Sequence, residues 1–147
     1  AQALRAYQPQ IILTHHGPDP RSMDHDTCWQ LVMRGMQVAG AEGLESASPS
    51  LRRAKLFLFE ATVPLTELEG FNPNVYVNIT DVWEIKLRAL KAFGRAQAFL
   101  AEWYTDTAKR RAFQSQRLSG RNDIAYAETC ERTDPWVGDR LLLDERV

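Results

Sequence analysis

Apolar and polar residues along the chain alternate between two periods, and this alternation predicts strands and helices in turn. Three short, mostly apolar runs are typical of strands: QIILT, KLFLFEA and VYVNIT. The late stretch NDIAYAETC indicates a fourth strand. Short runs that are apolar throughout favour the strands of parallel sheets, which are buried on both faces. The pattern therefore predicts an α/β fold with a mainly parallel sheet.

Helical stretches separate these runs. The first, AQALRAY, stops at Pro9, because proline does not fit a helix interior. The second, TCWQLVMRGMQVAG, follows Asp24 and Asp26, either of which can cap a helix, and reaches a glycine stop at Gly40 and Gly43. Each helix is thus expected to return the chain to another strand.

Two further helices are predicted in the second half of the chain. Asp81 followed by Glu84 forms a capping pattern, and Gly94 is expected to bend or break the helix that it opens. The residues with the spacing of its buried stripe are Val82, Ile85, Ala89, Phe93 and Ala96. The last helix spans FLAEWYTDTAKRRAFQSQ, and its basic cluster at 109–111 is expected to be a solvated face.

Composition narrows the class of protein. The chain has 147 residues, of which 44% are hydrophobic and 25% are charged, with a formal net charge of −1, and this profile predicts one globular domain. Scattered basic residues argue against nucleic-acid binding, and no apolar run approaches the roughly 20 residues that span a bilayer. A cytoplasmic location is expected. Cys28 and Cys130 form no disulfide framework, so reduced thiols are expected.

Candidate chemistry is concentrated in HHGPDPRSMDHD, residues 15–26, which holds every histidine of the chain. The segment follows an apolar strand and precedes a helix, which is where open α/β sheets place their ligand sites. Imidazole and carboxylate groups are good zinc ligands, although a polar loop with an aspartate cap has the same pattern. This loop supplies one or two ligands, whereas a zinc site needs at least three from the protein.

The start of the chain is unusual for such a fold. It opens within a helical stretch, with no strand before it, whereas a doubly wound sheet begins with a strand whose following loop builds the ligand site. The sequence therefore predicts either a piece of a longer protein or an unusually small domain.

Four segments resemble a known family in their order and spacing. They are the strand end Thr14–His15, the helix start Asp24–His25, VYVNITDVWEIKLRAL and RNDIAYAE. Together they resemble the second half of the PIG-L/LmbE-like zinc enzymes, most of which are N-acetyl-sugar deacetylases. The resemblance implies that residues 1–147 are the C-terminal portion of one Rossmann-like three-layer domain. The N-terminal portion, with the family's first metal motif, is then missing.

The same resemblance implies a cofactor, zinc or another divalent metal. His25 matches a metal ligand of the family, and Asp24 matches the aspartate of its later motif, for which a catalytic role is expected. Ser22 stands where the deacetylases carry a histidine that stabilises an oxyanion or donates a proton. A serine does not replace an imidazole in protonating an amine leaving group at neutral pH.

The departure at Ser22 makes the chain more similar to the branch of the superfamily that contains 4-oxalomesaconate hydratase. That branch shares Asp19–Pro20, the strand end Phe59–Glu60, NITDVWEIK and WYTDTAKRRAFQSQR. The resemblance implies metal-dependent addition of water to an unsaturated keto-tricarboxylic acid in aromatic-acid catabolism. The alternatives are a zinc-dependent deacetylase and a non-catalytic domain or inactive fragment.

The hydratase interpretation assigns roles to two strand-end residues. His15 is expected to move a proton, although a strand-end histidine bonded to backbone has the same position. Glu60 is expected to have a catalytic role or to orient a metal ligand, although a carboxylate that caps a loop looks identical in sequence. His16 is a weaker candidate than His15.

Substrate-binding residues are expected to be Arg21, Arg121 and Asn122, because guanidinium groups bind carboxylates through paired hydrogen bonds. Tyr126 and Glu128 either close the pocket or, as we favour, are structural. The expected partner is a small-molecule carboxylate substrate, with no nucleic acid and no membrane, and a homo-oligomer is expected.

Overall fold

A computed structural model of the chain describes residues 1–60, 68, 70–95, 98–135, 137 and 139. The strands in these ranges are β1 (Ile11–His15), β2 (Lys55–Phe59), β3 (Val75–Asn78) and β4 (Ala127–Arg132). The helices are α1 (Gln2–Tyr7), α2 (Met23–Gly40), α3 (Trp83–Lys91) and α4 (Phe99–Ser119), with a 3₁₀ turn at Thr80–Val82 directly before α3. The expected α/β class is confirmed.

The sheet is mixed, with the strand order β1-β2-β4-β3. β1 and β2 are parallel and pair Leu13 with Phe57 and His15 with Phe59. β4 is antiparallel to both of its neighbours, and it pairs Cys130 with Phe59. The expectation of a mainly parallel sheet is therefore wrong for the described strands. Among the described elements, only the β1-α2-β2 unit has the helical crossover that parallel strands require. An apolar run carries no information on strand direction.

The first half of the core lies between α2 and the parallel strand pair. Ile12 in β1 and Leu56 and Leu58 in β2 are buried, whereas Ile11 and Leu13 are 57% and 61% exposed. The partly buried side chains that pack on this cluster are Leu4, Trp29, Val32, Met33 and Met36. Burial at every second residue of β1 shows that, within the described structure, this strand is covered on one face only.

The boundaries of the first two helices differ slightly from the sequence prediction. α1 ends at Tyr7, and Gln8 caps it in a left-handed conformation before Pro9 is reached. α2 has Ser22 as its N-cap residue, with an extended backbone, so neither Asp24 nor Asp26 caps it. Both aspartates lie in the first turn, where a negative charge is favourable next to the helix N-terminus. The helix ends at Gly40, as expected.

The buried side of α3 is rotated from the predicted one. Trp83 and Leu90 are buried, whereas the predicted stripe is exposed in its described members Val82, Ile85, Ala89 and Phe93. The reason is the Trp83 ring, which stacks on Tyr126 at 4.3 Å and sets the rotation of the helix. Ala96 lies outside the described residues, and the helix ends before Gly94, which has a positive φ of 76°.

The long helix α4 contacts β4 along a stripe of small residues. Ala112 packs with Ile124 and Ala127 in one buried cluster. Arg111 is 0% exposed, so the expected solvated basic face is wrong at this residue. The predicted fourth strand, NDIAYAETC, is extended only from Ala127 onward and continues to Arg132. In the ranges given above, no helix combines the length and the hydropathy needed to cross a membrane.

Candidate active site

A cavity of about 830 Å³ opens beside the loop that follows β1. Asp19, Ser22 and His25 from this loop and the start of α2 line it, together with Glu60 directly after β2. The lining from α3, from the turn after it and from α4 is largely apolar and aromatic: Leu90, Phe93, Phe99, Leu100 and Trp103. Polar groups thus converge on a concave, mostly apolar surface, as in small-molecule sites generally.

The loop places Asp19 against the ring of His25. The Nδ1 atom of His25 lies 2.8 Å from Oδ2 of Asp19, and the backbone N–H of Arg21 donates to the other carboxylate oxygen at 2.9 Å. Burial by itself raises the pKa of Asp19, but the hydrogen bonds from His25 and from the backbone of Arg21 and Ser22 outweigh it and hold this pKa below its ordinary value. Asp19 is therefore an ionised acceptor that fixes the His25 ring.

His15 stacks on the opposite side of this pair. Its ring lies parallel to that of His25, with centroids 4.0 Å apart, and it meets Phe59 edge-on. Burial lowers the pKa of His15, the charge of His25 lowers it further, and Asp19 acts in the opposite direction. The Nδ1 atom of His15 is buried and has no hydrogen-bond partner among the described residues. Neutral imidazole is thus the favoured form of His15.

A second carboxylate lines the cavity with a different environment. Glu60 accepts two hydrogen bonds from Arg111, from Nε at 2.9 Å and from Nη2 at 2.5 Å, and a third from the Thr129 hydroxyl at 3.1 Å. The Arg111 guanidinium also donates to the Gln114 side chain at 2.8 Å. The Glu60 side chain is 9% exposed and that of Arg111 is 0% exposed. This is a buried, bidentate ion pair with both partners held by further hydrogen bonds.

A third charged pair lines the cavity between α3 and β4. The Lys86 ammonium forms an ion pair with Glu128, and it lies 4.7 Å from the centre of the Tyr104 ring. All three residues line the cavity. The Lys86 and Glu128 side chains are 25% and 47% exposed, so this pair is open to solvent.

The structure brings some of the predicted site residues to the cavity and leaves others away from it. His25 and Glu60 line the cavity, and His15 stacks directly on His25. Asp24 is exposed in the first turn of α2 and does not line the cavity, so the carboxylate that contacts His25 is Asp19. Sequence spacing alone does not identify which acid of this loop contacts the histidine.

The predicted substrate-binding residues are not among the residues that line this cavity. Arg21, Arg121 and Asn122 are all missing from its lining. Arg121 forms an ion pair with Asp123 in the turn after α4, with 3.0 Å between Nε and Oδ1. Their predicted role stays untested.

Two other candidates have structural environments. His16 is buried, with its Nε2 atom 3.6 Å from Glu131, and its ring meets Phe71 edge-on. The Tyr126 ring is stacked on Trp83. Glu128, in contrast, lines the cavity.

Sequence reasoning missed Asp19, Arg111 and Lys86 as residues of this cavity. For Arg111 a signal is visible in hindsight, because it lies in a stripe with the helical spacing of the buried small residues Ala108, Ala112 and Ser115. A charged residue inside such a stripe needs a buried partner, since an unpaired buried charge is unfavourable. Lys86 carries no comparable signal of burial, because partly exposed helix lysines are common.

The donor chemistry around His25 fits one ligand of a divalent metal. A histidine that binds metal through one ring nitrogen usually has the other bonded to a carboxylate or carbonyl, as Asp19 bonds Nδ1 here. No described residue forms a hydrogen bond with Nε2 of His25, so this atom is available. Within the described ranges, no three His, Cys, Asp or Glu side chains come together as a metal site. The described residues therefore fit a single metal ligand.

Comparison with known proteins identifies a hydratase among the relatives, both by sequence and by its crystal structure. No family model matches the chain. It is 29% identical over 144 residues, 96% of its length, to the 4-oxalmesaconate hydratase of Pseudomonas putida, of which it spans 55%. It also superposes on the crystal structure of GalB, the 4-carboxy-2-hydroxymuconate hydratase of Pseudomonas putida, with a TM-score of 0.84 and 29% identity, over 95% of this chain and 58% of that one. The chain is thus homologous to a hydratase, of which it spans little more than half.

More distant structures share the fold. A conserved protein of Thermus thermophilus superposes with a TM-score of 0.66 at 20% identity, over 93% of this chain and 57% of that one. The N,N'-diacetylchitobiose deacetylase of Pyrococcus horikoshii superposes with a TM-score of 0.58 at 16% identity, over 88% of this chain and 48% of that one. These likenesses concern the fold alone, and they confirm the expected similarity to the LmbE-like deacetylases at that level.

Proposed function

We propose that this chain forms part of a metal-dependent hydratase, which adds water to 4-oxalomesaconate or a closely related unsaturated keto acid in the breakdown of aromatic acids. The observation that carries the proposal is the similarity to a Pseudomonas putida hydratase, at 29% identity over nearly the whole chain and with a TM-score of 0.84 to its crystal structure. The cavity beside the β1 loop supports it, because the homologous region contains a carboxylate–histidine pair at a concave site.

The residues of the cavity supply orientation and charge. Asp19 fixes the His25 ring through Nδ1, which leaves Nε2 available. Addition of water to an activated double bond needs a base, an acid for the carbanion and cationic support for the carboxylates, but it expels no leaving group.

The proposed cofactor is a divalent metal, with zinc as the expected ion. His25 would hold it through Nε2, and the other ligands would come from outside the described residues. When bound, such a metal supplies Lewis-acid chemistry. We further propose that residues 1–147 are the C-terminal portion of a Rossmann-like three-layer domain, with the first metal motif in the portion before it. The chain matches little more than half of the hydratase's length, which supports only that it corresponds to a portion of such a protein.

Ser22 favours hydration over amide hydrolysis. It lines the cavity at the position where the sequence resemblance places a histidine of the deacetylases. A serine hydroxyl does not protonate an amine leaving group at neutral pH as an imidazole does. Hydration does not require that step, so this substitution is compatible with the proposed reaction.

An assay of the complete, metal-loaded protein tests the proposal. We expect the conjugated ultraviolet absorbance of 4-oxalomesaconate to decrease with reversible kinetics, and no acetate release from N-acetylglucosamine derivatives. Acetate release without hydration would assign the protein to the deacetylases, and neither activity would indicate a non-catalytic domain. The expected homo-oligomer and the expected cytoplasmic location are separate proposals, which sedimentation analysis and cell fractionation test.

A further inference from the structure

We propose that Lys86 forms a carboxylate-binding subsite on the side of the cavity away from His25, and that it holds a terminal carboxylate of the substrate. The inference rests on the proposed hydratase function for the identity of its ligand. The names of the relatives do not point to this residue, although it is the last residue of NITDVWEIK, one of the segments on which the sequence resemblance rests. Its support is the arrangement of the cations that line the cavity.

Lys86 and Arg111 are the lysine and arginine side chains that line the cavity within the described part of the chain. Arg111 is fully buried, and its guanidinium donates to Glu60 through two nitrogens and to Gln114 through the third. All three nitrogens of this guanidinium therefore donate hydrogen bonds to other side chains of the protein. The Lys86 ammonium has three N–H donors, is partly exposed, and has Glu128 as its ion-pair partner. Of these two cations, Lys86 is the one that an incoming carboxylate can reach.

The neighbours of Lys86 hold its ammonium in place without saturating it. Its position over the Tyr104 ring provides a cation–π attraction, which restricts the side chain before a ligand arrives. Its ion pair with Glu128 is weak, because the Glu128 side chain is nearly half exposed and such pairs contribute little. A substrate carboxylate can thus join or replace Glu128 at the ammonium, at a small cost in side-chain entropy.

The position of the subsite sets the part of the substrate that it recognises. Glu128 lies on β4, and β2 separates this strand from β1, whose following loop holds His25. Two steps of the inter-strand spacing correspond to about 10 Å. Lys86 therefore binds a group remote from the atoms that react near His25. A remote contact that is equally strong in the ground state and in the transition state contributes to substrate binding, and here to selectivity for extended polycarboxylates.

Calorimetric titration of the complete, metal-loaded protein with propane-1,2,3-tricarboxylate tests the subsite without turnover. We expect Lys86→Met to weaken binding roughly tenfold or more, as for the loss of a charge-assisted hydrogen bond. Glu128→Gln breaks the same ion pair but keeps the cation, so its affinity should be equal to that of the wild type or higher. Lys91→Met, an exposed change one turn further along α3, controls for net charge and should bind normally.

Three results would overturn the subsite. One is equal weakening by Lys86→Met and Glu128→Gln, since that is the result for an ion pair with a structural role only. The others are unchanged affinity in Lys86→Met and the absence of binding to the wild type. In the hydratase assay, we expect Lys86→Met to raise KM with kcat within about threefold, as for lost uniform binding.

The two proposals fail separately. If the wild type binds the tricarboxylate through Lys86 but catalyses no hydration, the subsite stands and the proposed reaction is wrong. If the wild type hydrates 4-oxalomesaconate and Lys86→Met changes neither KM nor the affinity for the tricarboxylate, the reaction stands and the subsite is wrong.

Discussion

A carboxylate–arginine pair and a carboxylate–histidine pair line the same cavity, and they differ in the hydrogen-bonding capacity that they leave for a ligand. Glu60 and Arg111 are buried and share two parallel hydrogen bonds, with Thr129 and Gln114 as additional partners. Asp19 and His25 share one hydrogen bond, through Nδ1 only, and the His25 side chain is 24% exposed.

This difference distinguishes a pair that stabilises the fold from a pair that can bind a ligand. A buried pair with many mutual hydrogen bonds has little capacity for a ligand, and its integrity matters for stability. A histidine that is fixed by a carboxylate on one nitrogen keeps the other nitrogen for a metal or a proton. We therefore infer that the Glu60–Arg111 pair stabilises the wall of the cavity. The Asp19–His25 pair provides the nitrogen that binds a metal or a proton.

The largest effect is expected from the loss of the His25 ring. His25→Ala in the complete protein should abolish stoichiometric zinc binding, because it removes the available ring nitrogen of the cavity loop. Metal content by elemental analysis after dialysis is the measurement. Asp26→Asn, one residue further along α2, should retain full metal content, since Asp26 bonds to Gln30 instead of the cavity residues. Full zinc content in His25→Ala would show that His25 is not a metal ligand.

The next largest effect concerns the buried pair. Arg111→Ala leaves Glu60 buried without its bidentate partner and should lower the free energy of unfolding by about 3–5 kcal/mol. Urea unfolding of the complete protein measures it. Lys109→Ala, an exposed change in the same helix turn, should stay within about 0.5 kcal/mol of the wild type.

A double variant tests whether this loss of stability comes from the unpaired buried charge. The double change Glu60→Gln with Arg111→Met removes both charges, and we expect it to recover much of the lost stability, because replacing both members of a buried pair is often near neutral. A loss below about 1 kcal/mol in Arg111→Ala would contradict the scaffold role of the pair.

Asp19→Asn should lower the metal affinity more than the stability, in contrast to Arg111→Ala. Loss of the carboxylate behind a metal-binding histidine typically lowers affinity roughly 10- to 100-fold. Competition with a chelator gives the dissociation constant for zinc. Asp24→Asn is the informative comparison, because the sequence assigns the carboxylate role to Asp24 and the structure places Asp19 against His25. If Asp24→Asn alone loses affinity, the structural assignment is wrong.

The smallest effect is a pH dependence of stability in the metal-free protein. Burial lowers the pKa of His15 below 6.5, so the unfolded chain binds a proton more readily than the folded one. The contribution of His15 to stability is therefore present above pH 6.5 and is lost as the pH falls through the lower folded-state pKa.

Replacing His15 tests this sign. His15→Phe keeps a ring against Phe59, and we expect it to flatten the decrease in unfolding free energy between pH 7 and pH 5. The lowered pKa of Asp19 acts below its ordinary value of 3.8, outside this window. A wild-type protein that gains stability as the pH falls from 7 to 5 would contradict the assignment.

Local patterns in the sequence predict much of the secondary structure and the location of the site. The apolar runs predict β1, β2 and β3, the glycine at 40 predicts the end of α2, and the histidine-rich loop lies beside the cavity. Such predictions succeed because periodicity, caps and breakers depend on neighbours within a few residues. They are less accurate for α3, where contact with the distant Tyr126 decides which side is buried.

Contacts between distant residues decide the rest. Arg111 is 51 residues from Glu60, and Thr129 is 69 residues from it, yet the three side chains meet at one wall of the cavity. The antiparallel position of β4 between β2 and β3 brings them together, and no local pattern specifies strand direction. The choice of Asp19 over Asp24 and the exposure of Lys86 to the cavity depend in the same way on loop closure and packing. The sequence alone therefore predicts that a polar site follows β1, whereas only the tertiary structure decides which charges remain available there, because availability depends on partners that are remote along the chain.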